Sequence, residues 1–448
     1  MEWLSALTFS GMEWYWAFAL LLGMIMFMMA LGVPVAFAFL TTNIVGWIGF
    51  NGFNLDAILQ VVENSTVLIT RFTLAPVPMF IMMGSLFFHT GLAIRVFDGL
   101  DALFGRLPGR LCFLTVAGGS IFSTLTGSSM ANTAMLGSLM VPEMQRRGYN
   151  RQMSMGPILG TGGLAMIIPP SALGVLLASV ASIAVGRLLI AGLLPGFTLA
   201  ALYAGMIGLQ LWMNPGSAPP YDVAPTSTGQ KLKLVMTNIL PMGFVVFMVI
   251  GFIIFGWATP TEAAAIGVLG VMILAAAFRV LTRRAIVTSV DSTVRVAAMV
   301  FFILMNSTVF SQLLAFSGAS AGMLEWATSF EVNRLIVLLV MFGVLLMLGM
   351  FMDATSMMLI TVPIFFPLAN QLGFDLVWFG LFVLITIEMA GTTPPFGLLL
   401  YVMMGVAPKG TTLFQVAKAA FPFLICDTIL ILILVAFPEL ALWLPSLM

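Results

Sequence analysis

Hydrophobic residues run in long blocks along this 448-residue chain, and polar residues interrupt them at a few recurring places. Apolar runs near or above twenty residues occupy about 15–39, 188–213, 235–256, 260–280, 296–316 and 413–437. Each is long enough to cross a roughly 30 Å hydrocarbon core as a helix. Shorter blocks at 111–127, 132–145, 333–350 and 357–370 predict helices that fall short of a crossing. They come in pairs joined by small-polar clusters, Gly127-Ser128-Ser129-Met130-Ala131-Asn132-Thr133 in one and Phe351-Met352-Asp353-Ala354-Thr355-Ser356 in the other. A Val-Pro follows each cluster, at Val141-Pro142 and Val362-Pro363, and then a Pro-Pro pair, at Ile168-Pro169-Pro170 and Thr393-Pro394-Pro395. Proline removes an amide donor and clashes with the preceding turn, so the helices over 152–185 and 376–406 are predicted to unwind there.

The doubling extends beyond these signals. Phe80-Ile81-Met82-Met83-Gly84-Ser85 lies 222 positions before Phe302-Ile303-Leu304-Met305-Asn306-Ser307. Residues 214–233, opened by Asn214-Pro215-Gly216, read as an exposed cytoplasmic linker between a first repeat at 1–213 and a second at 234–448. Short loops rich in Lys and Arg stay in the cytoplasm. That rule puts all basic residues except Arg71, Arg187 and Arg334 inside, and both termini on the periplasmic side. Arg106, Arg110, Arg146, Arg147 and Arg151 flank 111–145, making it an inner re-entrant hairpin, while Glu325, Glu331 and Asp375 flank 333–370 as an outer one. The expected fold is all-α and polytopic, with inverted-topology repeats, two re-entrant helical hairpins and two discontinuous helices. Leu92 to Gly105 and Leu281 to Asp291 carry charges at amphipathic spacing and read as helices at the cytoplasmic interface.

Composition narrows the class. Hydrophobic residues make up 61% and charged residues 8%, with a mean hydropathy of +1.13, which excludes an ordinary soluble domain. The acidic start, Glu2 and Glu13, has no basic residue before the first apolar run, so that run reads as a retained span. Cys112 and Cys426 both lie in apolar segments, which argues against disulfides or a metal cluster. His89, the only histidine, has no partner at ligand spacing. No HExxH, GxSxG or GxxxxGK[ST] pattern occurs, so the chain is not expected to be an enzyme, and scattered cations make no case for nucleic acid. A membrane-embedded enzyme and a scaffold subunit are the competing readings outside transport.

Backbone left non-helical at membrane depth survives only in protein or beside a polar cavity. Two clusters facing two broken helices supply carbonyls and hydroxyls, the ligands hard cations prefer. One cage would comprise Ser128, Ser129, Asn132 and Thr133 with carbonyls near Gly162 and Ile168; the other, Gly349, Asp353 and Thr355 facing Gly391, Thr392 and Thr393. Helix N-termini just past each break, at Ser171 and Phe396, would aim positive dipole ends at an anionic substrate. Asn132, Thr355 and Pro395 complete the substrate-facing set. The plainer reading is packing: Ser/Thr patches glue helices, small residues let them approach, and prolines kink them. Asp353 stands out because a carboxylate at mid-membrane needs a cation or donors beside it. Glu388 and Asp427 are weaker candidates, as suited to structural hydrogen bonding as to proton relay.

Pro78-Met79-Phe80-Ile81-Met82-Met83-Gly84-Ser85, the Gly127 to Ala134 cluster, Ile168-Pro169-Pro170-Ser171 and Thr393-Pro394-Pro395-Phe396-Gly397 together resemble the large membrane (M) subunit of tripartite ATP-independent periplasmic (TRAP) transporters. The resemblance covers about residues 15–437. It implies an elevator-type fold of the ion-transporter superfamily in the bacterial inner membrane, importing organic acids with Na+. Carried over, Ser128, Ser129, Asn132, Gly162, Ile168 and Pro170 match one sodium site, and Gly349, Gly391 and Thr393 the other. It also implies a separate four-helix small membrane (Q) subunit and a periplasmic substrate-binding (P) protein. C4-dicarboxylates, sialic or other sugar acids, sulfonates and ectoine-like solutes all stay open as cargo, and a stand-alone divalent-anion symporter is the alternative within transport.

Overall fold

The structure, a computed structural model, describes residues 9, 11–51, 59, 63, 72–104, 107–126, 128–220, 227–329, 333–350, 352–395 and 397–448, without the side chains of 73, 93, 102, 123–126 and 327–328. Gly127, Phe351 and Phe396, the flanking Arg71, Arg106 and Glu331, the initial Glu2 and linker residues 221–226 lie outside the described residues.

All regular structure among the described residues is helical. Helices α1 (Trp14–Ala30) and α2 (Val35–Asn51) divide the first apolar run, predicted as one span over 15–39, because Gly32 turns the chain at φ 83° and Pro34 cannot continue α1. Next come α3 (Pro76–His89), α4 (Leu92–Leu103), α5 (Arg110–Thr126), α6 (Ser129–Arg146), α7 (Arg151–Ile167), α8 (Ala172–Val180), α9 (Val185–Ala191) and α10 (Leu193–Met213). After α11 (Thr228–Leu234) and a π-turn at Val235–Ile239 follow α12 (Leu240–Ile254), α13 (Pro260–Ala277), α14 (Arg283–Phe316) and α15 (Ala319–Ser329). The chain ends with α16 (Arg334–Gly349), α17 (Ala354–Gln371), α18 (Leu376–Thr392), α19 (Leu398–Val406), α20 (Leu413–Ala436) and two short turns of helix.

Five stretches among the described residues are long and apolar enough to cross a bilayer: Val185–Met213, Thr228–Ile254, Pro260–Ala277, Arg283–Phe316 and Leu413–Ala436. The outer faces of these spans and of the shorter α16 are oily. Leu240, Phe244 and Phe247 on α12 and Leu335, Leu339 and Met347 on α16 are exposed at helical spacing, which a water-soluble surface would not tolerate in such number.

Two sequence expectations need correction. Residues 281–291 are not a separate interfacial helix: from Arg283 onward they form the first turns of α14, which runs unbroken for 34 residues with Thr282 accepting a hydrogen bond from the Ala285 amide as its N-cap. The 214–233 linker is only partly exposed, since Ser217 and Ala218 are buried and the Ser217 carbonyl accepts from the Asn150 amide at 2.8 Å. Its end is helical, started by a capping box between Ser227 and Gln230.

The centre of the protein is α7 and α18. Met153 through Ile167 are all buried, as are Val377 through Ala390, so these two helices are covered on every side and pack on each other. Around α7 lie α5, α6, α10 and α20; around α18 lie α16, α17 and α20. Gly156 and Gly160 bring α7 against Phe423 of α20, where a Cβ would sit 2.7 and 2.5 Å from the ring. A separate layer, α1, α2, α3, α12, α13 and α14, packs mainly within itself, with α3 touching α5 and α8, and α14 touching α17.

The internal prolines explain part of this packing. Pro157 leaves the Met153 carbonyl without its helical donor, and the Cys112 thiol of α5 donates to it at 3.3 Å. Pro363 does the same to Leu359, and the Ser307 hydroxyl of α14 donates there at 2.6 Å. Each vacated carbonyl becomes a point where a neighbouring helix is fixed.

Candidate functional site

Four helix ends meet inside the bundle. Helices α5 and α6 are separated by two residues and pack on each other, as do α16 and α17, which are joined by residues 350–353. Helix α6 has 18 residues, longer than the 14 predicted, or about 27 Å, still under a full crossing. The tips of both pairs lie beside the breaks. Helices α7 and α8 diverge by 45° across Ile168 to Ser171, and α18 stops at Thr392 before α19 resumes at Leu398. Both Pro-Pro bonds are cis. Because Pro169, Pro170 and Pro395 have no N–H, the carbonyls of Ala165, Met166 and Gly391 lose their helical donors, so oxygen is freed at each break.

Beside the first break, the Asn132 amide donates to the Thr161 carbonyl at 3.0 Å, tying α6 to α7. Thr133 is fully buried and its hydroxyl oxygen has no partner. A Cβ on Gly162 would lie 2.6 Å from that oxygen and 3.6 Å from the Ser129 carbonyl. Glycine therefore leaves an oxygen-lined notch that any other residue would fill. An unpartnered oxygen facing a gap beside a carbonyl suits a hard monovalent cation. Ser128 spends its hydroxyl on the Ala131 amide as N-cap of α6. Ile168 and Pro170 are buried at the break itself.

At the second break, Gly349 abuts α18 so closely that a Cβ would be 2.2 Å from that of Ala390. The hydroxyls of Thr392 and Thr393 both donate to the Met389 carbonyl, leaving their oxygens free to accept. The carbonyls of Gly391 and Thr393 converge on Gly397, 2.6 and 2.8 Å from where its Cβ would be. Asp353 is the N-cap of α17. Its carboxylate accepts from the amides of Thr355 (3.0 Å) and Ser356 (3.2 Å) and from the Ser356 hydroxyl. The donors expected beside this half-buried carboxylate are thus a helix N-terminus, which stabilises the charge with or without an ion.

A cavity of about 560 Å³ opens between these parts. Ser128, Ser129, Gly349, Asp353, Thr355 and Gly391 all line it, joined by Ala172 and Leu173 past the first break and Leu398 and Leu399 past the second. Helices α3 and α14 close it with Ile81, Ser85, Phe88, His89, Ser292, Val296 and Met299. Not every candidate faces it. Ser171 is 1% exposed and caps α8 by accepting from the Gly174 amide at 3.0 Å, and neither Ser171 nor Pro395 is among the lining residues.

Three polar groups here were left minor or unassigned by the sequence reading. Glu388 is 5% exposed, lines the cavity and accepts from the Ser129 hydroxyl at 2.8 Å. Ser85 lines the cavity with its hydroxyl unpartnered, whereas Ser307, its counterpart 222 residues on, is committed to Leu359. His89 lies at the rim. The repeat alignment marked Ser85, but without the tertiary fold nothing distinguished it from its twin. Asp427, the other minor candidate, accepts from the buried Tyr203 hydroxyl away from the cavity.

Long apolar helices, with interrupted ones set around a shared cavity, fit a multi-pass membrane protein, and the comparisons with known proteins give its class. The family model described as "Tripartite ATP-independent periplasmic transporter, DctM component" matches residues 22–440. The chain is 30% identical to "Uncharacterized protein YgiK" of Salmonella typhimurium over 97% of this chain and 98% of that one. It is 28% identical to the "C4-dicarboxylate TRAP transporter large permease protein DctM" of Rhodobacter capsulatus over 96% and 99%. Permeases named for ectoine (Halomonas elongata) and sialic acid (Vibrio cholerae) are each 27% identical over 94% and 93% of this chain and 97% and 95% of their own. A "DctMQ" isethionate permease of Oleidesulfovibrio alaskensis is 26% identical over 90% of this chain and 62% of its own. Among solved structures, the Alcanivorax borkumensis YdaH transporter matches with a TM-score of 0.63 at 14% identity over 87% of this chain and 91% of that one. The Neisseria gonorrhoeae MtrF structure matches at 0.60 and 12%, over 85% of each. This chain belongs to the DctM family, the large permease subunit of TRAP transporters, and is a multi-pass membrane permease rather than an enzyme.

Proposed function

We propose that this chain is a sodium-coupled permease that imports an organic acid through an elevator motion of its central helices. The observation that carries the reading is the cavity: it brings both hairpin tips, both post-break segments and two helices of the outer layer around one space. In this reading α5–α6 and α16–α17 are re-entrant hairpins entering from opposite faces, within repeats 1–213 and 234–448. Together with α7, α8, α18, α19 and α20 they move as a unit against α1–α3 and α12–α14. Ser129, Asn132, Thr133 and Gly162 hold one Na+ at the notch, with Ile168 and Pro170 shaping the break. Gly349, Asp353, Thr355, Gly391, Thr392 and Thr393 hold the other. Sodium supplies positive charge that lets an anionic substrate enter a cavity whose described lining offers His89 but no Lys or Arg.

A separate Q subunit would seat against the outer layer; the fused name of the isethionate relative supports such a pairing. A periplasmic P protein would deliver cargo at the face where both termini lie. The differing names of the relatives leave the carboxylate open. Reconstituting the complex in proteoliposomes and measuring uptake of the P protein's ligand tests the proposal. Uptake that tracks an imposed sodium gradient and needs the P protein is expected; uptake indifferent to sodium would refute the coupling.

A further inference from the structure

Glu388 has no assigned role, yet it joins the two halves of the site. It sits one turn before Thr392, where α18 ends, and its Oε2 accepts from the hydroxyl of Ser129, a residue 259 positions away at the start of α6. The bond is 2.8 Å long and buried, with a carboxylate as acceptor, the kind that resists removal of either partner. The side chain passes α7 at Gly163, where a Cβ would lie 2.8 Å from Glu388 Cγ. The neighbouring glycines 162 and 163 therefore have different jobs, one clearing the notch at Thr133, the other clearing a path for Glu388. Ser129 presents its carbonyl to the notch and its hydroxyl to Glu388, so its position is felt at both breaks.

We infer that Glu388 is a positioning residue whose bond to Ser129 couples the two cation notches, so that filling one orders the other. The inference rests on the sodium reading above. An ion that fixes the Ser129 carbonyl also fixes the hydroxyl on the same residue, and through it the last turn of α18, which carries Gly391 and Thr392. A Gln at 388 keeps an oxygen to accept from Ser129, but it loses the charge and puts an NH2 where Glu388 Oε1 has no hydrogen-bond partner.

The test is equilibrium binding of radioactive sodium to the purified full-length chain in detergent, comparing wild type with S129A, E388A, E388Q and the S129A/E388A double variant. Wild type is expected to bind with a Hill slope approaching about 2, the number of notches. S129A and E388A should each lower the slope toward about 1 and raise the midpoint on the order of tenfold, the loss of one charge-assisted hydrogen bond. The double variant should be no worse than either single, and E388Q, which keeps the acceptor but not the charge, should lie between wild type and E388A. Additive single variants, or an E388Q as impaired as E388A, would overturn the coupling role. If E388A does not fold, G163A, which displaces Glu388 without removing it, must reproduce the lowered slope or the inference fails. Failure of wild type to bind sodium at all would instead reject the parent reading, and this proposal with it.

Discussion

Replacing Gly162 with alanine probes the first notch most directly. The new Cβ would stand 2.6 Å from Thr133 Oγ1, against the roughly 3.5 Å at which carbon contacts are comfortable, and 3.6 Å from the Ser129 carbonyl. Thr133 is 0% exposed and has no slack, so relief requires its hydroxyl to turn away or α6 to shift. Overpacking of this kind costs about 1–3 kcal/mol. Where that strain is relieved by losing the oxygen the ion needs, sodium affinity falls by the same free energy, about 5- to 150-fold at ~1.4 kcal/mol per decade. The assay is thermal unfolding of the full-length chain in detergent, titrated with NaCl against choline chloride at constant ionic strength. Wild type should be stabilised by sodium, with G162A shifted to higher concentration by that factor. A Cβ added to Gly208 of α10 would meet nothing within 4 Å, so G208A is the matched control and should keep the wild-type midpoint. A G162A protein with an unchanged sodium midpoint would refute the notch as an ion site.

Thr133→Val separates ion binding from packing: the hydroxyl it removes has no partner, so the melting temperature in choline should hold while the sodium response weakens in the same titration. Asp353→Ala should cost about 0.5–2 kcal/mol in unfolding measurements for loss of the α17 cap, and Asp353→Asn should recover that cost. If Asn also recovers the sodium midpoint, the carboxylate acts by capping alone. Ser307→Ala leaves the Leu359 carbonyl without its donor and should lower stability by about 1–3 kcal/mol, read as a lower melting temperature. Gly349→Val should separate α16 from α18 beside the second ion site, seen as a melting transition lowered in choline and raised less by sodium than in wild type.

Much of this protein was legible as sequence because a bilayer constrains strongly. Long apolar runs, prolines that cannot donate and the repeated order of tip, Val-Pro and Pro-Pro are local facts, and they gave the helical class, the two breaks and the residues around them. Local facts failed where a choice depended on a neighbour far along the chain. Nothing in the run around Leu281 to Asp291 said that its helix would continue to Phe316, because charged turns outside a bilayer and apolar turns inside it can share one axis. Among four adjacent small residues at 160–163, only the packed fold shows that Gly160 meets Phe423, Gly162 meets Thr133 and Gly163 meets Glu388. Glu388 itself is an ordinary acidic residue before a break until Ser129, from the other half of the chain, comes within 2.8 Å. Which carbonyls are free was set by chain chemistry; which of them share a cavity was set by long-range packing, since a side chain's partner across two helices leaves no trace in spacing.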